Sequence, residues 1–268
     1  MTSAEQPPAL PVLLYHSVND DPPAWIAQFT VGTRTFARQM ELIEASGRIP
    51  VTARQVVNAL HGGEPLPEWP ILITFDDAFR DFVDHAMPEL AARNLPATMY
   101  VTTGALDPHN ASLLPPARMM TMKQVVMAAD AGIEIGAHSH THPQLDTVSK
   151  AAVIDELERS KAELEDVLGE KVATFAYPHG YSSRAVRELA RRCGYEGAFA
   201  VRNALSSAHD DPFRIARLML RADTGFDEFA GWLGGTGARV APYGESAATK
   251  LWRAYRKTRS RARLPQRR

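Results

Sequence analysis

Seven short apolar runs, each followed by a stretch with helical spacing, constrain this chain more than any other feature. They are "PVLLYH" (11–16), "ILITF" (71–75), "ATMYVTT" (97–103), "IEIGAH" (133–138), "ATFAY" (173–177), "GAFAV" (197–201) and "RIARLML" (214–220). Most are near-continuous rather than alternating, the pattern of parallel strands covered on both faces. The helices between them carry end signals. Thr52 opens "TARQVVNAL" as a Thr-x-x-Gln capping box. Ser149 opens a segment in which Val153, Leu157, Leu164 and Leu168 mark one face and Gly169 supplies the stop. "TFARQMELIEASG" and "SSRAVRELARRCG" also end in glycine.

About seven β/α alternations without a Pro/Gly/Ser linker predict an α/β chain with one closed or nearly closed barrel. The expected boundaries are an N-terminal extension over 1–10, the barrel over 11–235 and a basic C-terminal tail over 236–268. At 268 residues and 45% apolar content the chain has enough material for one sizeable core. A single cysteine, Cys193, excludes a disulfide framework and a cysteine-rich zinc site; a packed, inert thiol is expected.

Charge is unevenly spread. From Lys250 onward nine residues are Lys or Arg and none is acidic, which leaves 21 basic against 31 acidic residues before it, a net charge of −10. The segment 250–268 reads either as a solvated, partly disordered terminus or as a contact for an anionic membrane surface or nucleic acid, with Trp252 and Tyr255 as interfacial anchors. No domain motif for a specific nucleic acid accompanies it. The opening "MTSAEQPPALPVLLYHSV" lacks the charged start and long apolar segment of a signal peptide. The expectation is a cytoplasmic protein, peripheral at the inner membrane face if the tail binds lipid.

In parallel barrels chemistry collects at the C-terminal ends of strands. Four polar clusters stand there and are expected to converge: Tyr15-His16, Asp76-Asp77, the histidines of "GAHSHTHP" and Tyr177-Pro178-His179-Gly180. Adjacent carboxylates repel, so Asp76 and Asp77 both ionise only with compensation. A divalent metal would supply it, one Asp binding the ion and the other facing water as a base; a surface turn or helix start is the competing reading. His138, His140 and His142 follow a strand and precede Pro143, which places them on a loop. Such a loop can wrap two imidazoles and a carboxylate round one ion, typically zinc.

"TFDDA", "HSHTHP" and "FAYPHG", in this order and at these separations, resemble the motifs of the polysaccharide deacetylase family, the NodB-homology group or carbohydrate esterase family 4. "LLYHSV" further resembles the branch that includes poly-N-acetylglucosamine deacetylases. The resemblance spans roughly residues 11–220. It implies a single distorted (β/α) barrel and metal-dependent hydrolysis of an acetamide on a sugar. By position, Asp76 would be the catalytic base, while Asp77, His138 and His142 would hold the metal, zinc first with cobalt or nickel as alternatives. His140 would stand aside, and Ser139 would support the loop.

The third motif usually reads Arg-x-Pro-Tyr-Gly. Here Ala176 replaces the arginine that pairs with the base, and Arg217 in "RIARLML" would supply that charge instead. The backbone N–H of His179, with Tyr177 beside it, would meet the oxyanion or substrate. The family's late Leu-x-His acid is missing; His16 matches the equivalent of the "YHS" branch, with His179 as rival. Ala78 and Met122 depart from the usual Gly and Trp, and "HNASLLPPARMM" is either a substrate loop or a plain connection.

The resemblance thus implies a hydrolase that removes N-acetyl groups from a glycan, oligosaccharide or lipid-linked sugar and releases acetate. Relatives on this fold also cleave O-acetyl esters or cyclic amides. A catalytically inactive glycan-binding scaffold is the alternative from outside the enzymes; Ala176 speaks for it, while the four intact residues Asp76, Asp77, His138 and His142 speak against it.

Overall fold

The structure is a computed structural model that describes residues 9–107, 117–244 and 247–263. Seven parallel strands close into a barrel: β1 (Val12–Tyr15), β2 (Pro70–Asp77), β3 (Thr98–Val101), β4 (Glu134–Ala137), β5 (Thr174–Ala176), β6 (Gly197–Val201) and β7 (Ile215–Met219). Each pairs with its chain neighbour, and β7 returns to β1 through Leu13↔Leu218 and Leu14↔Met219, so the ring has no open edge. A short strand, Ile49–Val51, pairs with the first residues of β2 outside the ring.

Register decides which side chains meet. In β1 and β2 the odd positions Leu13, Tyr15, Ile71, Ile73 and Phe75 join the outer core with helix α1 (Thr33–Ala45). Phe36 of α1 meets Tyr15 edge-on at 5.2 Å, and Tyr15 stacks on Phe75 at 5.3 Å. Each such fully buried large apolar side chain contributes about 1.5–3 kcal/mol. Val12 and Leu72 instead share the lumen with Tyr100, Ala176, Phe199 and Ile215. Gly136 of β4 leaves room there, since a Cβ would lie 2.3 Å from the Tyr100 ring.

Helix α2 (Ala53–Leu60) closes the N-terminal end of the barrel, with Val56 and Val57 in the lumen cluster. Thr52 and Gln55 form the capping box expected from sequence. The half-buried Glu134 carboxylate accepts the Arg54 N–H at 3.1 Å, and Thr98 Oγ1 accepts that of Ala53 at 3.2 Å. The helix start thus has partners inside the barrel, and burial raises the Glu134 pKa above its ordinary value. With this end plugged, the opposite end is left for chemistry.

Around the ring stand α3 (Met87–Ala92), α4 (Met122–Asp130), α5 (Lys150–Leu168), α6 (Arg184–Arg192) and α7 (Phe226–Leu233). Ser149 caps α5, and Gly169 ends it in the left-handed conformation. Burial raises the half-covered Cys193 thiol, in keeping with an inert role.

The described residues beyond 235 do not form a free tail. Arg239–Val240 pairs with Ala204–Leu205, and 247–263 forms helix α8. Arg256 of α8 donates to both carboxylate oxygens of Asp146, at 2.7 and 2.8 Å, and its guanidinium lies 3.6 Å from the Tyr181 ring centroid. Trp252 Nε1 donates to Tyr181 Oη at 3.2 Å. Over the described part of that segment an ordered helix rests on the barrel through these contacts, in place of a partly disordered terminus, while most of its residues stay exposed to solvent. Trp252 and Tyr255 stack on each other at 5.3 Å and stay about half exposed. None of the helices in the described residues is long and apolar enough to cross a membrane. Residues 109–116 of "HNASLLPPARMM" lie outside the described residues.

Candidate active site

Strand ends bring the predicted residues together. Asp76 and Asp77 end β2, and Asp77 and Ala78 take the left-handed conformation (φ 75° and 66°), which turns the chain sharply at the barrel mouth. Ser139, His142 and His179 share that conformation at φ 66°, 58° and 58°. Among the described residues, five of the seven non-glycine positions with positive φ therefore sit at one site, the kind of local strain that surrounding structure holds at functional positions.

The Asp76 carboxylate is 2% exposed and is gripped from across the lumen by Arg217 of β7, itself fully buried. Nη1 donates to Oδ1 at 2.7 Å and Nη2 to Oδ2 at 2.8 Å. Burial would push Asp76 up, but the guanidinium, aided by His138, brings it down to about 2. Ala176, where an arginine stands in the usual motif, lies in the lumen, and its carbonyl accepts from His138 Nδ1 at 2.8 Å.

That bond fixes the His138 tautomer: Nδ1 carries the proton, and Nε2 offers its lone pair. Asp77 Oδ1 lies 3.5 Å from this Nε2 and 3.3 Å from His142 Nε2. The ligand atoms of Asp77, His138 and His142 all fall within 4.8 Å of one another. A tetrahedral site with bonds of about 2.0–2.1 Å has edges of about 3.3 Å, so the measured separations suit a common ion. Burial drives the imidazoles down to about 3 and 4, keeping them neutral as ligands require. Asp77 Oδ1 is buried without a hydrogen-bond partner among the described residues, and burial lifts that carboxyl to about 6. An orphaned buried oxygen facing two neutral imidazoles fits a divalent metal.

His140 stands apart. Its ring bonds Thr103 Oγ1 at 2.8 Å and lies 3.2 Å from Glu163, while its backbone N–H goes to Glu156 Oε2 at 2.8 Å. Ser139 Oγ accepts from the His142 N–H at 3.0 Å. Glu156 also takes the Thr141 N–H at 2.7 Å and the Thr141 hydroxyl, tying the histidine loop to α5. Sequence reasoning missed it, although an acid beside Leu157 on the buried face of α5 was a signal.

His16 follows β1, and its Nδ1 is buried without a partner among the described residues. Burial lowers its pKa, while the Asp77 and Asp76 carboxylates act the other way. The His179 ring lies 4.6 Å from that of His142, and burial brings it to about 4. Tyr177 does not reach the mouth. Its fully buried hydroxyl donates to the Phe213 carbonyl at 3.0 Å, and its N–H goes to Phe199. The expected contact of Tyr177 with oxyanion or substrate is corrected accordingly: Ala176 faces the lumen, so its neighbour faces outward.

The sequence model of the family described as polysaccharide deacetylase matches residues 63–198. The chain belongs to the polysaccharide deacetylase family. Poly-beta-1,6-N-acetyl-D-glucosamine N-deacetylase of Staphylococcus epidermidis is 22% identical over 76% of this chain and 75% of its own. The Streptococcus pyogenes deacetylase PplD, solved with acetate, superposes with a TM-score of 0.74 at 24% identity, covering 83% of this chain and 96% of the other. IcaB from Ammonifex degensii gives 0.71 at 23% identity, over 87% and 99%. These two structures establish the barrel as that fold.

Proposed function

We propose that the chain is a metal-dependent N-deacetylase that removes acetyl groups from N-acetylated sugars and releases acetate. The observation that carries this reading is the meeting of Asp77, His138 and His142 beside an Arg-held Asp76 at one barrel mouth. The name of the Staphylococcus epidermidis relative points to the same bond, the acetamide of a glucosamine.

Asp77, His138 and His142 would hold the metal, zinc by the donor set, with cobalt or nickel also suited to it. When bound, such an ion supplies Lewis acidity to an acetyl carbonyl and to an attacking water. Asp76, ionised throughout the neutral range, accepts the water proton; its two bonds to Arg217 fix its direction. His16, directly after β1 at the mouth, gives a proton to the departing amine nitrogen. The His179 backbone N–H would donate to the oxyanion, whose charge develops only during the reaction. Amide nitrogen leaves poorly, so the acid step weighs more here than for an ester.

The test is acetate release from N-acetylglucosamine oligomers by metal-stripped protein, with and without zinc, cobalt or nickel. Asp76→Asn runs alongside. Metal-restored release that the variant lacks supports the reading. Failure of every metal to bind would overturn it.

A further inference from the structure

The ladder between β1 and β2 runs to the pair Tyr15↔Phe75, so the next residues along, His16 and Asp76, stand level at the barrel mouth. Beyond that point the two chains part. Asp77 and Ala78 turn one of them sharply, at φ 75° and 66°, while Ser17–Val18 pairs with Thr30–Val31 instead. The β1–β2 ladder therefore stops where an acid and a base would have to keep a set separation.

A side-chain bond reconnects them. Ser17 is buried, and its Oγ donates to Asp81 Oδ2 at 2.6 Å. Asp81 also accepts the Val18 N–H, and these two donors oppose the rise that burial gives its carboxyl. The segment that carries Asp81 is anchored in turn. The Arg80 N–H goes to the Arg118 carbonyl at 2.8 Å, and the Met120 N–H goes to that of Ala78 at 2.9 Å. Asp81 thus offers Ser17 a firm point four residues after Asp77.

The His16 ring also meets the Phe29 ring, with centroids 5.5 Å apart. Phe29 packs against the cluster of Ile26, Phe79, Ala105 and Met119, and its N–H goes to the Ile26 carbonyl at 2.8 Å. It is therefore a reference against which the position of His16 can be read. His16 keeps part of its surface open, as a group that meets substrate must.

We propose that Asp81 is a positioning residue for the reaction: through Ser17 it sets where the His16 ring stands relative to Asp76. The assignment rests on the deacetylase reading above, with His16 as the acid. When the C–N bond breaks, its electron pair takes the proton from His16 and the amine leaves neutral. A nitrophenyl ester releases a stabilised phenolate and needs no such proton. A displaced His16 should thus slow the amide and spare the ester, whereas a general loss of structure slows both.

Two measurements on the full chain test it. The first compares kcat, with zinc present, for acetate release from an N-acetylglucosamine oligomer and for hydrolysis of para-nitrophenyl acetate. The proteins are the wild type, Asp81→Ala, Asp81→Asn, Ser17→Ala, His16→Gln and His16→Gln/Asp81→Ala. The amide-to-ester ratio should fall about tenfold or more in Asp81→Ala, and less in Asp81→Asn, which keeps an acceptor for Ser17. Ser17→Ala should follow Asp81→Ala, and it serves should that variant not fold. In the His16→Gln background the Asp81→Ala change should leave the ratio unmoved. The second measurement is the NOE between the His16 and Phe29 rings, expected in the wild type and lost in Asp81→Ala and Ser17→Ala. Amide and ester rates that stay in proportion, a ratio that falls further in the His16→Gln background, or an NOE that survives both substitutions would overturn the positioning role. Acetate release by the wild type would then keep the deacetylase reading. Loss of the NOE with no acetate from any amide, wild type included, would overturn the deacetylase reading and leave Asp81 as the residue that holds the His16 ring.

Discussion

Arg217 and Asp76, 141 residues apart in sequence, face each other across the barrel lumen through two parallel hydrogen bonds of 2.7 and 2.8 Å. The closure of β7 onto β1 and of β1 onto β2 creates this pair. Arg217 Nη1 also donates to Thr74 Oγ1 at 3.3 Å, and the Thr74 hydroxyl goes on to the Leu13 carbonyl at 2.8 Å. Its guanidinium carbon lies 5.6 Å from the Tyr100 ring centroid. The proposed base is therefore aimed by three strands, and its charge is balanced from within the barrel.

Arg217→Met leaves a buried carboxylate without its partner and should cost about 3–5 kcal/mol of stability, read from urea unfolding. Arg217→Met/Asp76→Asn should regain a large part, because the unpaired charge is gone. Arg217→Lys keeps the charge but loses the paired geometry and should fall between. Acetate release should be lost in all three. A double variant as unstable as Arg217→Met would show that the pair acts by packing rather than charge.

Metal affinity should fall as pH falls, and Asp77 should set the midpoint. The metal takes the ionised carboxylate and neutral imidazoles; the imidazoles lie at about 3 and 4 and Asp77 at about 6. Zinc affinity, measured by competition with a chelator, should be flat above pH 6 and drop about tenfold per pH unit just below it. In the metal-free protein the sign is opposite. A raised carboxyl favours the folded state when protonated, so that stabilisation is present at acidic pH and is lost as pH rises through 6. The Asp77→Asn protein should lack this loss.

Much of this architecture was legible because buried parallel strands write themselves as apolar runs. Gly197–Val201 matches its predicted range, and the other six strands lie within a few residues of theirs. The motifs placed Asp77, His138 and His142 on strand ends, and a closed ring brings strand ends together. Orientation was read less well. Strict alternation along β5 puts Ala176 inward and so Tyr177 outward, a signal present in "TFAYP" that a motif comparison passes over. Docking of α8 was hidden for a different reason: Arg256 and Asp146 lie 110 residues apart, and basic composition looks alike whether solvated or paired.

Glu156 should matter to metal binding without touching the metal. It accepts the His140 and Thr141 N–H groups and the Thr141 hydroxyl, holding the loop whose ends are His138 and His142. Glu156→Ala should lower zinc affinity about 10–100-fold, the usual loss when outer support of a ligand is removed. Glu156→Gln retains one acceptor and should lose less. Chelator competition measures both, and equal affinity in wild type and Glu156→Ala would show that the loop holds its shape unaided.

Arg256 should control whether α8 stays on the barrel. Its guanidinium is 7% exposed, bonded to Asp146 in a pair and lying over Tyr181, whereas Leu251 of the same helix is largely exposed and Trp252 and Tyr255 are about half exposed. The helix thus depends on few contacts, and segments of that kind open at low free-energy cost. Arg256→Met should speed amide hydrogen exchange across 251–260 by tenfold or more while protection in β2 and β3 stays unchanged. Asp146 would then be left without its pair, so Asp146→Asn combined with Arg256→Met should restore global stability without restoring protection in α8. Unchanged exchange in α8 would mean that the Trp252 bond to Tyr181 and the bonds from Arg253 hold the helix by themselves.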